Sequence, residues 1–227
     1  MKTKTKLIIG IVVATCVGLF AYNKVNAAEV SGDFSLGYDS DIGFRGVAGQ
    51  TSAIQGSMGL GVDLFGIDVS VGAFSNIKQD YDNETQLSLE TSVSLLDNIQ
   101  TSVGVITYDD NHVVGDTTEA YVDLGAEFIL SPSVRIYFDP SESVATIEGR
   151  VSQEIGITDE IAVEAIGTVG NTSIADERAT YYSLDVIAKY ELKENTDVFV
   201  SVDVTDLQDV NLQAPDVAFY VGVTHSF

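Results

Sequence analysis

The chain has little of the chemistry that most catalytic and nucleic-acid-binding sites require. Its 227 residues include one cysteine, Cys16, two histidines, and 11 basic residues against 34 acidic ones. Cys16 falls in an N-terminal stretch that we expect to be cleaved, which would leave no disulfide, thiolate metal site or thiol chemistry. A formal net charge of −23 argues against binding to nucleic acid or to anionic lipid surfaces, because both need basic patches.

The first 27 residues have the layout of a secretory signal peptide. A positive start (Lys2, Lys4 and Lys6) precedes an apolar stretch over 7–20 and a small-x-small end, Val25-Asn26-Ala27. The apolar stretch is short for a membrane-spanning helix, which needs about 20 residues. A lipoprotein anchored at Cys16 is the alternative. We therefore predict a signal peptide over 1–27 and a single domain over 28–227.

From Val30 onward, apolar residues recur at every second position. The first segment places Val30, Phe34 and Leu36 on one parity and Asp33 and Ser35 on the other, and the pattern repeats to Phe227. Period-two alternation predicts strands with two unlike faces. Twelve such segments predict an all-β fold: a transmembrane antiparallel up-and-down β-barrel of about twelve strands.

The links between segments alternate in length. Five are tight, among them Phe65-Gly66 and Lys193-Glu194-Asn195, whereas Lys78 to Glu84, Tyr108 to Thr117, Gly170 to Ala179 and Thr205 to Asp216 are longer and polar. Asp139 to Ser143 is a short exception. Short turns at one end and long loops at the other are typical of an outer-membrane barrel.

Charged residues occupy only the polar parity of the predicted strands. A soluble β-sandwich would also alternate, with its charges in water, but this polar parity is rich in glycine, which suits a crowded interior better. Charge is excluded from a lipid-facing surface because a basic residue at mid-depth costs about 2–4 kcal/mol. A few large apolar residues, including Ile129 and Phe199, fall on the polar parity and are expected to pack inside.

Aromatic residues on the apolar parity cluster near both ends of the segments and predict two girdles at the membrane interfaces. The two sets are Phe34, Phe128, Tyr190 and Phe227, and Phe44, Phe138, Tyr182 and Phe219. The last segment alternates up to Phe227, which resembles the C-terminal signal read by the barrel-assembly machinery of Gram-negative bacteria. The expected partners are that machinery and the bilayer of the outer membrane, with the oligomeric state left open.

The stretch Ser40-Asp41-Ile42-Gly43-Phe44-Arg45-Gly46, followed by Gln55-Gly56, Gly66 and Ser75-Asn76, resembles the Gcw_chp family of proteobacterial proteins. Ile42 stands where that family usually has an aromatic residue. The resemblance implies an outer-membrane barrel of uncharacterised function. Arg45 lies on the polar parity and has two readings: a counter-charge for neighbouring carboxylates at the barrel mouth, or a solute contact at a constriction.

Catalysis and metal binding have little support. His112 falls in a loop and His225 on the apolar parity, and neither has a plausible serine and orienting residue beside it, so we predict no enzyme activity and no cofactor. Acidic loops at Asp80 to Glu84 and Asp109 to His112 leave calcium open, although they lack the spacing of a known calcium loop.

The inward-facing charges suggest a function. The predicted set is Arg45, Arg135, Glu148, Arg150, Glu154, Glu164, Lys189, Glu191 and Asp197. Folding the short links pairs Arg135 with Glu148, Glu154 with Glu164, and Glu191 with Asp197. Acids in excess of bases imply water or mobile cations inside, which favours a narrow passive channel for small solutes or cations. The alternative is a closed structural or surface-interaction barrel without transport.

Overall fold

The structure, a computed structural model, is a closed antiparallel barrel in which each strand pairs with its neighbours in sequence and the first strand pairs with the last. It describes residues 30–40, 52–78, 83–111, 115–140, 144–174, 177–208 and 217–227. The predicted signal peptide, Arg45, Phe44 and His112 lie outside these ranges. The predicted all-β antiparallel barrel and its strand count of twelve are confirmed.

The strands are 7 to 17 residues long. Their bounds are β1 Val30–Asp39, β2 Ala53–Asp63, β3 Ile67–Lys78, β4 Glu84–Leu96, β5 Ile99–Asn111, β6 Gly115–Ala126, β7 Ser133–Asp139, β8 Val144–Gly156, β9 Ile161–Ile174, β10 Glu177–Lys193, β11 Thr196–Gln208 and β12 Ala218–Ser226.

Because side chains alternate across a strand, the register fixes which residues share a face. Asp33 lies opposite Gly59, Gly59 opposite Gly72, and Gly72 opposite Ser88, so the small and polar parity is continuous from β1 to β4. The apolar parity forms the outer face, where residues such as Leu36 and Leu184 are exposed. The barrel therefore turns its polar side chains inward.

The links at the two ends of the barrel differ less than the sequence predicts. The tight-turn end, which carries the β2–β3, β4–β5, β6–β7, β8–β9 and β10–β11 connections, is as expected except at β6–β7. At the opposite end, here called the loop end, β5 runs on to Asn111 and β9 to Ile174, so the predicted long links over 108–117 and 170–179 are wrong. The polar residues there continue the ladder, because strands that leave a membrane still satisfy their backbone groups by pairing.

The β6–β7 connection is longer than the predicted Ser131-Pro132-Ser133. Strand β6 ends at Ala126, and Leu130 and Ser131 have positive φ angles of 70° and 29°. The Ala126 amide donates to the Pro132 carbonyl at 2.9 Å, which closes the connection as a wide turn. Ile129 consequently sits in this turn and is exposed, so its predicted place inside the barrel is wrong.

The predicted girdle residues that the structure describes are all exposed: Phe34, Phe128, Tyr190, Phe227, Phe138, Tyr182 and Phe219. All but Phe128, which lies in the β6–β7 turn, continue the outward parity of their strands. The predicted absence of charge from the apolar parity holds over most of the strands, but not at the loop end. There the extended strands place Asp109, Asp116 and Asp206 on the outward parity. Strands of 13 residues or more, such as β5 and β11, exceed the 9–11 or so that cross a bilayer, so these acids fall beyond it.

Within the described residues, no helix has the length and hydropathy needed to cross a membrane.

The topology predicts which links are accessible on intact cells. With an even number of strands, we expect the tight-turn end, where the first strand begins and the last one ends, to face the periplasm and the loop end to face outward. An epitope inserted between Asn111 and Gly115 should bind antibody on intact cells. The matched epitope at Asp159, in the β8–β9 turn, should bind only after the outer membrane is permeabilised. Antibody binding at Asp159 and protection at the β5–β6 link would contradict this orientation.

Candidate channel lumen

Acidic side chains outnumber basic ones on the inward face. The inward acids are Asp33, Asp39, Asp63, Asp68, Glu84, Glu90, Glu119, Asp123, Asp139, Glu148, Glu154, Glu164, Asp185, Glu191, Asp197 and Asp203. The basic residues that face in with them are Lys78, Arg135, Arg150 and Lys189. This arrangement gives the lumen a negative electrostatic potential, because the described bases cannot pair with all of these carboxylates.

Arg135, midway along the wall, is held by a carboxylate and two aromatic rings. The register places it opposite both Asp123 and Glu148, which confirms the predicted alignment with Glu148. Its ion pair, however, is with Asp123, at 2.5 Å between Nε and Oδ2, so the predicted partner is wrong. The guanidinium carbon lies 4.7 Å from the centre of the Tyr121 ring and 5.9 Å from that of Tyr137, within the range of cation–π attraction.

Glu148 is bound by two tyrosines instead of by Arg135. Tyr137 on the neighbouring strand donates its hydroxyl to Glu148 Oε2 at 3.2 Å, and Tyr181 on β10 donates to Glu148 Oε1. Because Tyr137 and Tyr181 are both buried, they hold the carboxylate close to the wall.

A three-strand arrangement of glutamate, glycine and tyrosine occurs twice. Glu90, Gly104 and Tyr121 lie in one row across β4, β5 and β6, and Tyr121 donates its hydroxyl to Glu90 at 2.5 Å over the intervening glycine. Glu148, Gly170 and Tyr181 form the same row across β8, β9 and β10. A side chain on the middle strand would block this reach, which explains the two glycines.

The tyrosine rings therefore lie along the wall and not across the lumen. A methyl group added at Gly104 or Gly170 would overlap the ring of Tyr121 or Tyr181. Phe199 covers Gly222 in the same manner, and Tyr220 covers Gly37. Aromatic rings packed over glycine on adjacent strands pin the register of a sheet, and here they leave the centre of the barrel free of these rings.

The glycines give a stability prediction with an internal control. Gly104→Ala should displace Tyr121 from Glu90 and lower the free energy of unfolding by about 1–3 kcal/mol, the usual range for overpacking. Gly125 also faces inward, but a Cβ added there would lie 3.7 Å from Ser133 Cβ, which is an ordinary van der Waals contact. The change in unfolding free energy of Gly125→Ala should therefore stay within about 0.5 kcal/mol. Urea unfolding in lipid vesicles measures both. Equal stability of the two variants would contradict the packing.

Near the tight-turn end, Lys189 joins two glutamates. The register places Glu154 opposite Glu164, as predicted, and Lys189 Nζ lies 2.8 Å from a carboxylate oxygen of each. The expected like-charge pair is therefore a bridged triad, because a lysine from β10 reaches across β9 to β8. The second predicted pair, Glu191 opposite Asp197, is present in the register of β10 and β11.

The hairpin that pairs Glu191 with Asp197 also places Asp185 opposite Asp203. Thr205 donates its hydroxyl to Asp203 Oδ1 at 2.6 Å. Arg150 also lies on the inward parity, and its side chain is exposed. The register set by the Lys193-Glu194-Asn195 link aligns both acidic pairs, so the pairing of Asp185 with Asp203 could also have been predicted from the sequence.

Toward the loop end the inward face is buried and polar. Lys78 Nζ lies 3.5 Å from Glu84 Oε2, and both side chains are 2% exposed. Gln55 donates to Asp39 at 2.9 Å, Gln86 donates to Glu84 at 2.9 Å, and Thr117 donates to Asp139 at 2.5 Å. Sequence analysis missed Lys78 and Glu84 as lumen residues because it assigned them to a loop.

The wall from β1 to β4 near the tight-turn end carries small side chains together with Asp33, Asp63 and Asp68. Cavities of about 450 and 590 Å³ lie against it, lined in part by Ser31, Gly61 and Ser70. The opposite wall bears the Lys189 triad. The lumen is therefore asymmetric, with open space beside β1–β4 and the lysine-bridged triad on β8–β10.

No known family model matches the chain, and no curated protein matches it. Solved structures do. The NanC porin has a TM-score of 0.55 at 16% identity, covering 86% of this chain and 98% of that one. The KdgM porin in complex with disordered oligogalacturonate has a TM-score of 0.57 at 13% identity, covering 87% and 99%. The COG4313 outer membrane channel from Pseudomonas putida F1 has a TM-score of 0.52 at 10% identity, covering 88% of this chain and 95% of that one. The chain thus has the barrel fold of these outer-membrane porins and channels.

Proposed function

We propose that the chain is an integral outer-membrane barrel that acts as a narrow passive channel for small cations. The observation that carries this proposal is the excess of inward carboxylates over inward bases. Arg135 and Lys189 are already bound to carboxylates. Because the described inward carboxylates outnumber the described inward bases, water or mobile cations must balance part of their charge, since uncompensated charge in a dry interior is costly.

The solute differs in charge from that of one structural neighbour. The KdgM porin was solved with oligogalacturonate, a polyanion, whereas the described lumen of this chain is acidic and would repel one. Carboxylates in a confined lumen favour cations over anions. Protonation of these carboxylates at low pH removes the attraction, and added salt screens it.

The wider proposal includes the export route and the family. The signal peptide over 1–27 directs the chain to the periplasm, and the strand ending at Phe227 is read by the barrel-assembly machinery. The resemblance to the Gcw_chp family belongs to this proposal as well, because its motif lies in 40–46, mostly outside the described residues.

A closed structural barrel is the second candidate, and the polar layer at the loop end favours it. Asn76, Glu84 and Glu119 are almost fully buried there, so this end of the lumen is narrow. Planar-bilayer recording of the refolded mature chain separates the two candidates. A channel gives stepwise currents, and a closed barrel stays silent after insertion has been verified by protease protection.

A further inference from the structure

Two turns at the tight-turn end present large apolar side chains at their tips. Phe65, in the β2–β3 turn, is 98% exposed, and Ile129, in the β6–β7 turn, is 88% exposed. Among the large apolar residues that the structure describes, these two are the most exposed. Other tips at the same end are polar, such as Asp97-Asn98 and Glu194-Asn195.

The conformation of the β2–β3 turn does not explain why a phenylalanine stands at position 65. Phe65 and Gly66 have φ angles of 62° and 83°, and Leu64 and Ile67 exchange backbone hydrogen bonds around them. A two-residue hairpin with positive φ at both positions favours Asn-Gly or Gly-Gly. A phenylalanine in this conformation is strained, and such outliers point to a role for the side chain outside the turn itself.

Both tips continue the apolar outer face. Phe65 is followed by Ile67 on the outward parity of β3, and Ile129 follows Phe128, which is also exposed in the β6–β7 turn. Only Gly66 lies between Phe65 and Ile67, and Ile129 is directly bonded to Phe128 in the chain, so no polar side chain interrupts either apolar pair. The surface that meets the acyl chains on the strands therefore extends around the ends of these two hairpins.

We propose that Phe65 and Ile129 insert into the periplasmic leaflet of the outer membrane and anchor the barrel at its interface. This rests on the proposed membrane insertion of the barrel. The inner bilayer boundary then lies at the two turn tips and not above them. The polar tips at Asp97 and Asp159 stay in water, so the rim is anchored at some turns and hydrated at others.

The chain contains no tryptophan, so single-tryptophan variants test this directly. In phosphatidylcholine vesicles, Phe65→Trp and Ile129→Trp should show blue-shifted emission and strong quenching by lipids brominated near the glycerol. Acrylamide should quench them weakly. Asp159→Trp, at a polar tip of the same rim, should show red-shifted emission and strong acrylamide quenching.

Leu36→Trp, on the outer face of β1, reports insertion independently, because bromine at mid-chain should quench it whenever the barrel spans the bilayer. Quenched Leu36→Trp together with water-exposed Phe65→Trp and Ile129→Trp would overturn the anchor and leave the proposed barrel intact. Unquenched Leu36→Trp would overturn the insertion on which the anchor rests. Water-exposed tips would also point to a periplasmic protein as the partner of this surface.

A second variant removes the interfacial preference of tryptophan at the tip. Asn at position 65 suits the turn, so Phe65→Asn preserves the hairpin. In an Ile67→Trp background, it should move the neighbouring probe toward water, with a red shift and increased acrylamide quenching. An unchanged Ile67→Trp spectrum would overturn the anchoring role of Phe65.

Discussion

Replacement of Lys189 by methionine should make the channel more cation-selective. Lys189 lies within 2.8 Å of both Glu154 and Glu164, and methionine removes its charge while retaining an unbranched side chain. Two neighbouring carboxylates are then left without their counter-charge near the periplasmic end. The reversal potential in a tenfold salt gradient should shift by several millivolts toward the cation limit of about 59 mV, the value for one charge per decade.

The matched variant reverses the charge change. Glu154→Gln with Glu164→Gln leaves Lys189 without its partners, so the same measurement should shift toward anions. Lowering the pH should also reduce the selectivity of Lys189→Met more than that of the double glutamine variant, which has fewer carboxylates to protonate. Identical reversal potentials in Lys189→Met and the double glutamine variant would mean that the triad does not line the ion path.

Replacement of Arg135 by alanine should destabilise the barrel more than replacement of Lys189. The alanine variant loses the short ion pair between Arg135 and Asp123, whose side chain is 15% exposed. It also loses the contacts of the guanidinium with two aromatic rings. A hydrogen bond to a charged group is worth about 1.5–3 kcal/mol. Lys189 is partly exposed and its partner Glu154 is more exposed. Ion pairs between exposed side chains contribute only about 0.2–1 kcal/mol each to stability.

Urea unfolding in vesicles and the heat shift on gels measure the difference. Arg135→Ala with Asp123→Ala should recover part of the loss, because the single variant leaves Asp123 without its counter-charge. Arg135→Ala with Glu148→Ala should recover none, since tyrosines hold Glu148. Recovery with Glu148→Ala and not with Asp123→Ala would restore the pairing that the sequence predicts.

The sequence predicts the parts of this barrel that depend on period and on hairpin register. Residue parity alone identifies which side chains face inward, and the tight links align Glu154 with Glu164 and Glu191 with Asp197. Both follow from the two-residue repeat of a strand. The same parity already places Tyr121, Tyr137 and Tyr181 inside, although their role was not recognised.

Contacts that skip a strand could not be predicted. Tyr121 reaches Glu90, Tyr181 reaches Glu148, and Lys189 reaches Glu154, each over the strand between them. Such contacts depend on the curvature and tilt of the wall, which are set by the closed barrel and not by one hairpin. Strand ends at the loop side were also missed, since the polar residues around Lys78 and Glu84 resemble a loop in composition.

The reversal potential of the wild-type channel tests most directly whether the acidic lumen conducts cations in preference to anions. Recorded across a planar bilayer in a tenfold potassium chloride gradient at neutral pH, it should have the sign of a cation-selective pore. It should fall toward zero as the pH drops through the range of carboxyl protonation and as both salt concentrations rise. A reversal potential of the opposite sign would contradict the account.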